Sequence, residues 1–139
     1  MSVTSLADFR GLWSLSRRIE DARAGAVLTL TGTARFADDG HGLTCDEAGT
    51  LVRPGQPPMA ATRRYLWRQE GGRIRVLFAD GRPFHDFAPG ASARAAHACA
   101  PDAYAVAYDF SHWPAWRAEW TVRGPRKDYV MRSHYRPAG

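Results

Sequence analysis

What most constrains this chain is a run of short segments that alternate apolar and polar residues with period two. The segments are broken at close intervals by Gly, Pro or Asp-Gly, and no 3.6-residue helical pattern follows them. Residues 9–20 read as a first strand with Phe9, Gly11, Trp13, Leu15, Arg17 and Ile19 on one face. Residues 25–36 read as a second strand rich in β-branched side chains, and 41–52 as a weaker third. Further strands are expected over 59–70, 73–79, 84–87, 92–99, 104–110, 116–123 and 127–136. Asp39-Gly40, Gly71-Gly72 and Asp80-Gly81 supply the positive φ that tight turns need. Residues 91–99 are alanine-rich but are read as a strand. Connections this short can join only antiparallel neighbours. A meander of about ten strands leaves two exposed edges, and closure removes them. The expectation is therefore an all-β fold: one closed, antiparallel, up-and-down barrel of about 8–10 strands. It forms a single domain over residues 1–139, with a short arm at 1–8 and the barrel over 9–136.

Composition agrees with one ordered domain. The chain has 139 residues, 45% of them hydrophobic, enough for a real core. The formal charge of +5 invites a nucleic-acid reading, but the basic residues are spread along the chain in pairs at most, without a dense stripe or motif, so none is expected. A positive field still favours anionic small ligands. Residues 1–8 lack a basic segment followed by an apolar one, and no apolar run reaches membrane-spanning length, so the reading is a soluble, cytoplasmic protein. Cys45 and Cys99 both sit in strand text and read as buried free thiols, with a disulfide as the alternative. A homodimer is compatible with this sequence.

In a closed meander the last strand runs beside the first. That brings Arg132 or Arg136 toward Trp13, where an arginine could cover the indole ring. The segments Gly11-Leu12-Trp13 with Arg17, Arg64-Tyr65-Leu66-Trp67, Asp80-Gly81-Arg82-Pro83-Phe84-His85, His97-Ala98-Cys99 with Asp102-Ala103-Tyr104, and Gly124-Pro125-Arg126-Lys127-Asp128-Tyr129 occur in that order. Together they resemble the bacterial domain-of-unknown-function 6314 family, a calycin-like group akin to lipocalins and fatty-acid-binding proteins. The resemblance implies a barrel and brings no established activity.

Function must then be read from residues expected to face inward. Trp13, Arg17, Arg63 or Arg64, Tyr65, Trp67, Tyr104, Tyr108, Trp116, Trp120, Tyr129 and Tyr135 make an aromatic and basic interior. Only one of Arg63 and Arg64 can face in, because neighbours on a strand point to opposite sides. A buried arginine needs a carboxylate or an anionic ligand; Glu47, Asp80, Asp109 and Glu119 are the internal carboxylate candidates. Phe84, His85 and His97 form a second group, with either histidine a candidate acid or base. Their spacing is not that of a metal site, and no metal or cofactor is expected. Lys127, the only lysine among 19 basic residues, lies at a hairpin and is either a solvated turn residue or an anion clamp at the barrel rim.

The leading expectation is binding of a small apolar or aromatic ligand with a polar or anionic head. Arg17, Arg63, Arg64, Tyr65, Phe84, His85, His97, Tyr104, Tyr108, Trp120, Lys127 and Tyr129 are the candidate contacts. One alternative is a cofactor-independent isomerase, cyclase or lyase using His85 or His97. A second is non-covalent haem on one of those histidines. A barrel packed solid by Trp67, Trp116 and Trp120 is a third.

Overall fold

The computed structural model describes residues 2–138. It contains ten strands: β1 Gly11–Asp21, β2 Ala26–Asp38, β3 Leu43–Val52, β4 Met59–Glu70, β5 Arg73–Phe78, β6 Pro83–Phe87, β7 Ser92–Cys99, β8 Asp102–Asp109, β9 Trp116–Arg123 and β10 Asp128–Pro137. All pairings are antiparallel, and β10 returns to β1, with Trp13 opposite Pro137 and Asp21 opposite Tyr129. The sheet order runs β6-β5-β4-β3-β2-β1-β10-β9-β8-β7. The barrel is thus nearly closed. The two edge strands, β6 and β7, face each other along a seam that carries no ladder of hydrogen bonds.

One end is plugged. Leu6–Phe9 form a single 3-10 turn ahead of β1, steadied where the Asp8 carboxylate accepts from the Thr4 and Ser5 backbone N–H groups. Three residues per turn put Leu6 and Phe9 on one side, and Val3, just ahead of the turn, is buried as they are. Within the expected arm, residues 3–8 therefore belong to a stopper. Phe9 leaves the first strand assigned to it and sits among Phe36, Trp67, Phe110, Trp113 and Trp116, with ring centroids 5.1–5.9 Å away.

Trp13 donates its indole N–H to the Phe9 carbonyl at 2.8 Å and packs against Trp113 and Trp116. This corrects the expected arginine cover. Arg132 points outward to Glu20 and Glu119 instead, and neither it nor Arg136 lies over the ring. At the opposite end the barrel opens among the β1–β2, β3–β4, β5–β6, β7–β8 and β9–β10 connections. Among the described residues no helix is long and apolar enough to cross a membrane.

Candidate functional site

Between the plug and the open end lies a cavity of about 280 Å³. Its floor is Phe36, Trp67 and Trp116, and its mouth is ringed by Arg63, Phe78, His97, Cys99, Tyr104 and Lys127. Strand parity accounts for most of the lining: alternate residues Cys45 and Glu47 on β3, Arg63, Tyr65 and Trp67 on β4, and Tyr104 and Tyr108 on β8 all face in. Parity fails in one place. Val76 of β5 pairs with His85, but the next residue, Leu77, pairs with Pro83. Phe84 is left over as a bulge, and the bulge turns two consecutive residues, Phe84 and His85, into the cavity.

Phe84 forms the centre of an aromatic wall. Its ring stacks on Phe78 at 4.5 Å and on Trp120 at 4.9 Å, the latter pair only 9° from parallel. Tyr65 stacks on it at 5.7 Å, and His85 and His97 meet it edge-on at 4.7 and 5.4 Å. His85 is buried, and its Nε2 lies 2.8 Å from the Tyr108 hydroxyl. Burial, opposed by the Asp86 charge and aided by His97, lowers its pKa from the ordinary 6.5 to about 4, so the ring is neutral at physiological pH. Burial likewise holds the Tyr108 phenol protonated.

Deeper in the wall, Arg17 is fully engaged. Nη1 donates to Glu47 Oε1 at 2.9 Å, Nη2 to Glu47 Oε2 and the Tyr135 hydroxyl at 3.1 Å, and Nε to Ser133 Oγ at 2.7 Å. Burial opposes the charge on Arg17, but the facing Tyr135 oxygen and Glu47 carboxylate outweigh it and keep the guanidinium ionised. The pair is electrically neutral, so Arg17 stands as a structural network and demands no ligand anion. Of the four carboxylates considered for this role, only Glu47 is inside. Asp80, Asp109 and Glu119 bind Arg82, Ser111 and Arg132 on the outer surface.

The two neighbouring arginines separate as parity requires. Arg64 points outward into an ion pair with Asp46 at 2.7 Å and is not a cavity residue, which corrects its place among the candidates. Arg63 reaches over the mouth, open to solvent on one side. Its only side-chain partner is the Tyr65 hydroxyl, 3.4 Å from Nη1, and it has no carboxylate among the described residues.

Lys127 is not free in the turn. It donates to Tyr104 Oη at 3.0 Å and sits 3.1 Å from Asp102 Oδ2; the tyrosine first, then the aspartate, raise its pKa above the ordinary value. Asp102 fits there because Gly124 lacks a side chain: a Cβ at that position would fall on its carboxylate. Tyr129 lines the same rim, half-buried, with its phenol pKa raised by burial.

Several cavity residues escaped the sequence reading. Phe78, Ala118 and Met131 carry no signal beyond parity. Cys45 and Cys99 are both free. Cys45 is buried as expected, but Cys99 is exposed, because β7 is an edge strand and its last residue lies at the mouth. No group of three or more His, Cys, Asp or Glu stands together as a metal site among the described residues. Trp67 and Trp116 approach to 6.4 Å, while Trp120 stacks on Phe84 instead. The interior is thus filled at the plugged end and hollow toward the mouth.

A ten-stranded antiparallel barrel with one end stoppered and a cavity under the other defines a calycin-like β-barrel. The chain belongs to the family described as "Family of unknown function (DUF6314)", which it matches over residues 9–137. Among solved structures it is similar to the S-type phycobiliprotein lyase CPES from Guillardia theta, with a TM-score of 0.58 and 9% identity over 94% of this chain and 87% of that one. It is also similar to a protein of unknown function from the DUF3598 family of Nostoc punctiforme, with a TM-score of 0.58 and 8% identity. That match takes in 97% of this chain and 49% of the other, so the chain spans about half its length. At these identities the likeness is one of fold. No curated protein matches the sequence.

Proposed function

We propose that the barrel binds one small, partly aromatic molecule with an anionic head, held between the Trp67–Trp116 floor and the Arg63–Lys127 mouth. The observation that carries this reading is Arg63. Arg17 is neutralised by Glu47 and Lys127 by Asp102, so Arg63 is the remaining uncompensated charge over a cavity walled by stacked aromatics. Such a cavity, mostly apolar with a few placed polar groups, has the character of a small-molecule site, and its volume is near the lower end of the usual ~300–1,000 Å³. The fold is shared with a phycobiliprotein lyase.

The test is native mass spectrometry of the protein purified from its own host, with an absorbance scan, beside an Ala118→Phe variant. Ala118 is buried in the cavity wall. A non-covalent mass carried by the wild type and lost in the variant is the expected result. A clean apo mass, with no tryptophan fluorescence change on titration with aromatic carboxylates, overturns the reading.

The His85–Tyr108 pair favours one second reading: a cofactor-independent isomerase, cyclase or lyase in which neutral His85 is the base. It predicts that a bound molecule is recovered chemically altered, where simple binding returns it unchanged. Haem gains no comparable support, since His85 Nε2 is engaged by Tyr108 and the cavity is small.

A further inference from the structure

The mouth of the cavity holds more hydrogen-bond donors than its own side chains use. Arg63 spends only Nη1, on the Tyr65 hydroxyl at 3.4 Å. Guanidinium and ammonium groups donate and never accept. The Tyr65 oxygen is therefore the acceptor in that bond, and Tyr104 Oη accepts in the same way from Lys127 at 3.0 Å. Each phenol keeps its own O–H to give, and neither has a second partner among the described residues. Tyr129 is the third. Its hydroxyl makes no bond with the described residues, and it is open to the cavity rather than sealed in the wall.

These groups are neighbours. Register across β7 to β10 aligns His97, Tyr104, Val122 and Tyr129 in one row around the mouth. Arg63 and Tyr65 are alternate residues of β4 and share its inner face. The Tyr65 and Tyr104 rings both adjoin Phe84, with centroids 5.7 and 6.1 Å from it. The Tyr129 phenol lies within electrostatic reach of Tyr104, Arg63, Lys127 and Tyr65.

The unused edge of Arg63 has counterparts in the same chain. Arg10 holds Asp38, and Arg64 holds Asp46, through Nε and Nη2, one nitrogen to each carboxylate oxygen at 2.7–3.2 Å. On Arg63 that edge takes no side chain among the described residues. A planar fork of N–H groups fits two oxygens held in one plane. Charge then limits what the fork can hold. Arg17 is paired with Glu47 and Lys127 with Asp102, which leaves Arg63 to be matched by one negative charge.

We infer that Arg63 and the hydroxyls of Tyr65, Tyr104 and Tyr129 form a receptor for one carboxylate: the Nε–Nη2 edge of Arg63 takes its two oxygens, and the phenols donate to the lone pairs left over. This rests on the ligand-binding reading above and narrows its anionic head to a carboxylate. An anion whose charge sits on a single atom leaves the fork half used and collects fewer of the donors.

Calorimetry at pH 8, under reductant, with three probes of one skeleton tests this. The probes are 2-naphthoate, 2-naphthamide, which has the same shape and no charge, and naphthalene-2-thiolate, whose charge sits on one sulfur. The carboxylate is expected to bind at least about tenfold more tightly than either, the scale of one hydrogen bond to a charged group. Arg63→Lys keeps the charge but removes the fork, and should erase the advantage over the thiolate. Tyr129→Phe removes one O–H and no side-chain bond of the folded chain; it should weaken 2-naphthoate roughly fivefold, with less effect on the thiolate. The wild-type comparison needs no variant to fold. Equal affinity for carboxylate and thiolate would mean that the mouth reads charge alone; it would overturn this inference and leave the ligand-binding reading standing. So would a 2-naphthoate affinity unchanged in folded Tyr129→Phe. Failure of all three probes to bind at millimolar concentration would sink both readings.

Discussion

Arg17 and Glu47 meet fork to fork inside the barrel wall, Nη1 to Oε1 at 2.9 Å and Nη2 to Oε2 at 3.1 Å, with each side chain only 8% exposed. Removing one partner strands a buried charge. Glu47→Leu is expected to lower unfolding free energy by about 3–5 kcal/mol, whereas Arg17→Met/Glu47→Leu should recover most of the loss. Urea denaturation of both variants checks this. Equal losses in single and double variants would show that the pair contributes through packing alone.

His85 gives stability a pH dependence whose sign is fixed. Its pKa is about 4 in the folded chain and 6.5 in the ordinary state, so between those values the unfolded chain binds more protons. Stability from this group is complete above pH 6.5 and is lost as pH falls toward 4, by roughly 3 kcal/mol in all. Surface carboxylates such as Asp39 also weaken the fold in acid. The measurement is therefore the difference between wild type and His85→Gln across pH 4–7. A constant difference would contradict the assignment.

Phe84 owes its inward position to the bulge, and it contacts six neighbouring rings, those of Tyr65, Phe78, His85, His97, Tyr104 and Trp120. Phe84→Ala should cost about 2 kcal/mol, less than a fully buried phenylalanine because the residue is only partly covered. It should also enlarge the cavity, read as tighter binding of an apolar dye such as anilinonaphthalene sulfonate.

Lys127 is the only lysine, so its chemistry can be followed without ambiguity. Held by Tyr104 and Asp102, its amine stays protonated and reacts slowly with acylating reagents at pH 9. Gly124→Ala would crowd Asp102, and Tyr104→Phe removes the other partner. Each should speed acylation several-fold, as peptide mass mapping will show. Unchanged rates would place Lys127 free in solvent.

The two thiols should part company. Cys99 is exposed, while burial first, then the Glu47 and Asp46 charges, raise the Cys45 pKa well above its usual value. One equivalent of thiol should react with Ellman's reagent in the folded protein, and the second only in denaturant.

Much of the barrel is written in local pattern. β4 over 59–70 and β9 over 116–123 are legible to the residue, because alternation inside and turn chemistry at both ends agree. Parity alone places Arg17, Tyr65, Tyr108 and Trp120 in the interior. Three features lay beyond that kind of reading. The bulge at Phe84 is set by the pairing of two strands and not by either one. The plug has a period of three over Val3, Leu6 and Phe9, too short a run to stand out. Which of Arg63 and Arg64 faces in depends on an unbroken count from the turn, and partners such as Asp102 and Gly124 meet only across the fold.

The seam between β6 and β7 has a consequence for the whole molecule. A hoop of continuous hydrogen bonds has a fixed girth. This one is cut, and the cut runs beside Phe84, His85 and His97. Such a ring has the form of a spring collar: it can widen along one line without breaking a ladder bond.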